Sequence, residues 1–150
     1  AGEPAPSPHG PAFDSSEVEA LRLRPPVDEG ELAASCPQGV WLARLPREAK
    51  LDVQQPWPEV ARQVSACCAR QRPMTALSAA LAAARIEVWG WLPFIATFLG
   101  YVVLTADVTG LTEAGPQLRP PGLWSRTVDG CRWHTPRGGR PQYVWTGPAG

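Results

Sequence analysis

Residues 88–106 read VWGWLPFIATFLGYVVLTA, nineteen positions without a charged side chain. A bilayer's hydrocarbon core takes about 20 mostly apolar helical residues to cross, so the run is long enough to span one. Trp89 and Trp91 stand near one end and Tyr101 nearer the other, where amphipathic rings would meet the headgroups. Gly90, Pro93 and Gly100 interrupt the run. An interior proline costs a soluble helix about 3 kcal/mol or more, whereas neighbouring helices in a membrane relieve it. The expectation is a single transmembrane helix over about 88–106, extended from about residue 74 and kinked at Pro93. The competing expectation is a buried helix or strand pair of a soluble domain, since a continuous apolar run fits either.

The sequence before this run supplies helical signals. Pro58 suits the first turn of a helix over 58–72, where its missing N–H is not needed. Val60, Val64 and Cys67 or Cys68 then share one face, with Arg62 and Arg70 off it, which makes that helix amphipathic. Small residues recur four apart as Ala76/Ala80, Ala79/Ala83 and Ala96/Gly100, a spacing that lets helices approach closely in membranes. Ser15 and Ser16 are expected to cap a short helix through Leu23, with one more turn over 27–35. Val40-Trp41-Leu42 reads as a short strand, and further short strands are expected around 123–128 and 142–146.

The flanks are different in kind. Of 150 residues, 14 are glycine and 18 proline, well above the roughly 12% the two usually share, so extended arms are expected. Formal net charge is zero, which supplies no global basic field for nucleic acid, and no nucleic-acid partner is expected. The charge is nevertheless segregated. Residues 1–35 carry seven acids against Arg22 and Arg24, while residues 114–150 carry five arginines against Asp129. The C-terminal stretch also scatters aromatics among its arginines. Trp124, Arg126, Arg132, Trp133, Arg137, Arg140, Tyr143 and Trp145 are therefore the expected partner-binding residues, since aromatics and arginine anchor interfaces. Trp89, Trp91, Pro93, Ala96, Gly100 and Tyr101 are the expected membrane and helix-packing residues. The organisation expected is an acidic Pro-rich arm (1–57), the amphipathic helix (58–72), the long helix with its spanning part (73–110) and a basic Trp/Pro-rich arm (111–150), mainly α overall.

Chemistry finds little support. Cys131 and His134 have a C-x-x-H spacing, but no second pair completes a zinc site, and no catalytic residues or metal are expected. Gly138-Gly139 is followed by no helix, as a phosphate-binding loop requires. Cys36, Cys67, Cys68 and Cys131 allow three full pairings. Adjacent Cys67 and Cys68 do not suit each other, so Cys36 and Cys131 would each take one in an oxidising compartment, and all four would stay thiols in a reducing one.

The run Phe98-Leu99-Gly100-Tyr101, followed by Arg119-Pro120-Pro121-Gly122, resembles membrane helices of light-harvesting proteins. Their Glu-and-Arg chlorophyll-binding pattern is absent, because Arg85 and Glu87 stand only two apart and in the opposite order. No family is assigned. The functional expectation is a non-catalytic, single-pass accessory subunit of a larger membrane complex, photosynthetic or respiratory, in a thylakoid or mitochondrial inner membrane. Its partners would be other subunits and membrane lipid, with no cofactor of its own beyond peripheral pigment or lipid contact. The alternative is a soluble, disulfide-stapled protein-binding domain with 88–106 as buried core.

Overall fold

The computed structural model describes residues 23–134 and 140–148. In chain order its elements are α1 (Glu29–Ser35), β1 (Val40–Arg44), α2 (Trp57–Arg70), α3 (Ala76–Trp89), β2 (Leu92–Phe98), β3 (Tyr101–Thr112), β4 (Gly115–Arg119), a 3-10 turn (Leu123–Thr127) and β5 (Gln142–Trp145). The strands form one sheet in the order β4-β3-β2-β1-β5. β1 and β2 are parallel, joined by the crossover that contains α2 and α3, and the remaining pairs are antiparallel.

The expectation of a mainly α protein with a spanning helix is thereby overturned. The fold is mixed α/β, and among the described residues no helix is long and apolar enough to cross a membrane. Residues 88–106 begin as the last turn of α3, stop at Gly90 and continue as the hairpin β2–β3. Each interruption in the run has a local role. Gly90 closes α3 in the left-handed conformation at φ 82°, its N–H donating to the Ile86 carbonyl at 2.7 Å. Pro93 opens the apolar core of β2 one residue before the ladder to β1 begins at Phe94, close to a strand start where a missing donor is tolerated. Leu99 and Gly100 form the two-residue turn between Phe98 and Tyr101, both at positive φ (52° and 84°), the backbone that matches strand twist in a tight hairpin. A Cβ at Gly100 would meet the ring of exposed His134, which would have to turn aside, so the positive φ is what favours glycine there.

The run is continuously apolar because both faces of these central strands are covered. Trp41, Phe94, Ala96, Leu104 and Ala106 face α2 and α3. Val40, Leu42, Ile95 and Val102 face α1, the 3-10 turn and the segment around Cys131–Trp133. A register shift after Ala96 opposes two β3 residues to one of β2, so Val102 and Leu104 lie on opposite faces.

The expected arms are corrected in the same way. The first contributes α1 and β1, with Asp28 capping α1 by accepting from the Glu31 N–H at 3.0 Å. The last contributes β4, the 3-10 turn and the edge strand β5. Residues 123–128, expected as a strand, form that 3-10 turn instead, whereas 142–146 does hold β5. The helix expected over 15–23 lies outside the described residues except for Leu23.

Candidate functional site

α2 and α3 cover the same side of the sheet with different side chains. α2 buries Val60, Val64, Cys67 and Cys68, each valine contributing about 1.5–3 kcal/mol by leaving water. The Trp57 indole N–H, at the start of α2, donates to the Thr105 carbonyl at 2.9 Å. α3 begins where the Thr75 hydroxyl accepts from the Ser78 N–H, and it is rich in alanine, the best helix former. Those alanines are too small to fill the space beneath them. Of the α3 residues only Ala82 is fully buried.

What remains is a groove of about 570 Å³ between α3, the end of α2 and the β3–β4 hairpin. Trp41, Cys68 and Gln142 are its buried lining, Met74, Ile86, Leu111 and Pro116 its apolar walls, and Ala79 and Ala83 the positions where side-chain bulk is missing. Gly115 lets the hairpin approach α2. It has φ 112°, and a Cβ there would collide with the Ser65 carbonyl, while the Ser65 hydroxyl donates to Pro116 O at 2.7 Å.

The polar groups of the groove divide sharply. The Trp41 indole N–H donates to Gln142 Oε1 at 3.2 Å, and Gln142 Nε2 donates to the Cys68 carbonyl at 3.0 Å. The Thr112 hydroxyl donates to Gly115 O, and Gln71 Nε2 to Arg44 O at 2.9 Å. Gln71 Oε1, by contrast, is buried with no partner. Glu87 and Glu113, both exposed, line the groove from α3 and from the β3–β4 turn and make no ion pair among the described residues.

The opposite face of the sheet carries bulkier side chains. Trp133 and Trp145 meet edge to face with ring centres 5.3 Å apart, and buried Trp124 donates its indole N–H to Asp107 Oδ1 at 2.7 Å. Arg119 Nε approaches the other Asp107 oxygen at 3.5 Å. A smaller space of about 320 Å³ lies beside Trp57 and Asp129, but the Asp129 oxygens already accept from the Thr105 and Ser125 hydroxyls.

The four cysteines are free and buried. Cys67 and Cys68 belong to the helix-covered face, Cys36 and Cys131 to the other, so the sheet stands between the partners of the expected staple. Burial pushes the Cys68 thiol up to about 12, and burial with the nearby Asp107 carboxylate does the same for Cys36. The Cys131 sulfur lies against the Thr127 and Asp129 carbonyls at 3.8 and 3.9 Å, while the ring of His134 packs over Gly100. Among the described residues no group of three or more His, Cys, Asp or Glu is placed to hold a metal ion.

The residues singled out from sequence are dispersed. Pro93 and Ala96 are buried in β2, Gly100 is in the hairpin turn and Tyr101 opens β3, none of them in a helix as expected. Trp89 ends α3 at 46% exposure, and Trp91 packs partly buried on the far side of the sheet. Trp124, Trp133 and Trp145 are interior. Arg126 is exposed, Arg132 bridges to Pro26 and Tyr101, and Arg140 donates to Pro73 O at 3.0 Å near the groove. Tyr143 lies beneath the Arg44 guanidinium, 5.8 Å from ring centre to carbon. Arg137 lies outside the described residues. Sequence reasoning missed Gln71, Met74 and Glu113. Its one usable signal was the Ala79/Ala83 spacing, read as a surface for helix association when it leaves room for something else. No protein-family model, no curated protein and no solved structure matches this chain.

Proposed function

We propose that this protein is a non-catalytic binding domain that takes an apolar ligand into the groove beneath α3. The observation that carries the reading is the groove itself: about 570 Å³, within the range of small-molecule sites, walled by apolar side chains and bearing few polar groups. The chain's single methionine, Met74, lines it, so its methyl group is a unique reporter. Titrating 1-octanol into protein carrying a ¹³C-methyl methionine is expected to move that one resonance. Nine non-hydrogen atoms at about 0.5 kcal/mol each correspond to a Kd of roughly 1 mM or slightly below. Ala83→Trp, which fills the groove from α3, is expected to abolish the shift. A resonance that stays still for every apolar probe overturns the reading.

A second reading keeps the role of a subunit contact, without a membrane span. Leu77, Val88 and Trp89 expose 82%, 79% and 46% of their surface along α3, an apolar face that a protein partner would cover. It is supported if the native 16.2 kDa chain sediments in a larger assembly that Val88→Arg dissociates, and lost if it sediments alone.

A further inference from the structure

The polar chemistry of the groove selects among apolar ligands by what it still lacks. Each side-chain N–H or O–H group that lines it makes a hydrogen bond within the protein: Trp41 with Gln142, Gln142 with Cys68, Thr112 with Gly115, Gln71 with Arg44. The Cys68 thiol is a weak donor and stays protonated. The charged side chains in its lining are acceptors only. Gln71 Oε1 is buried and unpartnered, and the carboxylates of Glu87 and Glu113 line the groove from α3 and from the β3–β4 turn. No arginine, lysine or histidine lines the groove among the described residues. Arg140 donates to the carbonyl of Pro73 at 3.0 Å.

We propose, resting on the groove reading above, that the ligand is a cationic amphiphile: an alkyl or aryl ammonium with its apolar body against Met74, Ile86 and Leu111. Its charge and its N–H donors match the carboxylates of Glu87 and Glu113 that line the groove. A fatty carboxylate of the same length brings a third anion beside two carboxylates and offers no donor. A neutral alcohol offers one donor and no charge. An ammonium offers three donors and the opposite charge, and charge-assisted hydrogen bonds are about twice as strong as neutral ones. Because Glu87 and Glu113 are exposed, their attraction is screened and each supplies a modest factor rather than a dominant one.

The test uses the intact chain and three probes of equal length, octylammonium, 1-octanol and octanoate, each below its micelle threshold, read on the Met74 methyl resonance. Octylammonium is expected to bind about tenfold more tightly than octanol at low salt, and octanoate more weakly than either. The octylammonium preference is expected to shrink in 0.5 M NaCl, because exposed charges more than a few ångströms apart are screened there. In Glu87→Gln/Glu113→Gln, two surface changes, the ratio of octylammonium to octanol affinity should fall toward one. Equal affinity of wild type for octylammonium and octanol, with Met74 shifting in both, overturns the cationic preference and leaves the groove reading standing. Silence of Met74 with all three probes takes down both.

Discussion

One sheet carries two coverings, and they differ in side-chain volume rather than in layout. On one side Trp124, Trp133 and Trp145 pack with Leu32 and Val128 into a filled layer, and its buried carboxylate, Asp107, is held by an indole N–H and an arginine. On the other, α2 packs with valines and cysteines, but α3 presents alanines, and a groove remains. Interiors are ordinarily packed like organic crystals, so an unfilled space of this size beneath a helix is a property of the residues chosen for that helix. The groove follows from Ala79 and Ala83, the filled face from three indoles.

The largest contrast comes from changing volume on each side. Leu42 is fully buried on the filled face, so Leu42→Ala would leave a cavity and is expected to cost about 2–5 kcal/mol in urea unfolding. Ala83→Leu adds as many carbons as that change removes, yet its new atoms enter open space and it should alter stability by less than about 1 kcal/mol. If Ala83→Leu instead loses the roughly 1–3 kcal/mol typical of an overpacked core, the two faces are equally full and the groove reading fails with it.

Much of this was written in the sequence and some was not. α2 was legible because Pro58 in its first turn and the Val60–Val64–Cys67 face are local signals that tertiary packing reinforced. Residues 88–106 misled because central strands covered on both faces lose the period-two alternation by which strands are recognised. The hairpin's turn is Leu99-Gly100, with an exposed leucine at φ 52° where Asn or Asp is the usual signal, so the one feature that divides the run in two carries an unusual residue. The aromatic and β-branched content of Phe94–Phe98 and Tyr101–Thr105 did favour strands, but at a weight that the length of the run outcompeted. The tryptophans of the C-terminal stretch looked like interface anchors because sequence shows residue type, not which side of a sheet the chain returns to. The groove was not legible at all, since an alanine marks empty space only once the elements opposite it are known.

A smaller effect separates the faces by polarity. Asp107→Ala leaves the Trp124 indole N–H buried without an acceptor and should cost about 1–3 kcal/mol. Asp107→Asn keeps an oxygen in place and is expected to recover part of that loss. Equal losses in the two variants, compared by urea midpoint, would shift the weight from the indole hydrogen bond to the Arg119 contact. On the groove side, Gln71→Leu offers the mirror comparison. Its Oε1 has no partner to strand, so only the bond from Nε2 to Arg44 O is lost.

The smallest effect belongs to the outer surface of α2, where neither covering matters. Glu59, in the first turn, accepts from Arg62 Nε at 2.9 Å, and this hydrogen bond, with one from Gln63, holds its carboxyl well below the usual range, at about 2. The folded value is depressed, so the stability it contributes is fully present above the ordinary carboxyl value of 4.5 and is lost as pH falls from there toward about 2. Both side chains of the pair reach solvent, Arg62 at 68% exposure and Glu59 at 38%, which screens the pair and keeps the contribution small. Glu59 also sits at the positive end of the helix dipole, which adds to the same sign. Glu59→Gln is therefore expected to melt slightly below wild type at pH 7, to converge with it near pH 2, and to differ less in high salt. A gap in melting temperature that is unchanged at pH 2 would assign the residue's effect to packing along α2 instead of charge, and the polarity of that surface would then have no part in the fold.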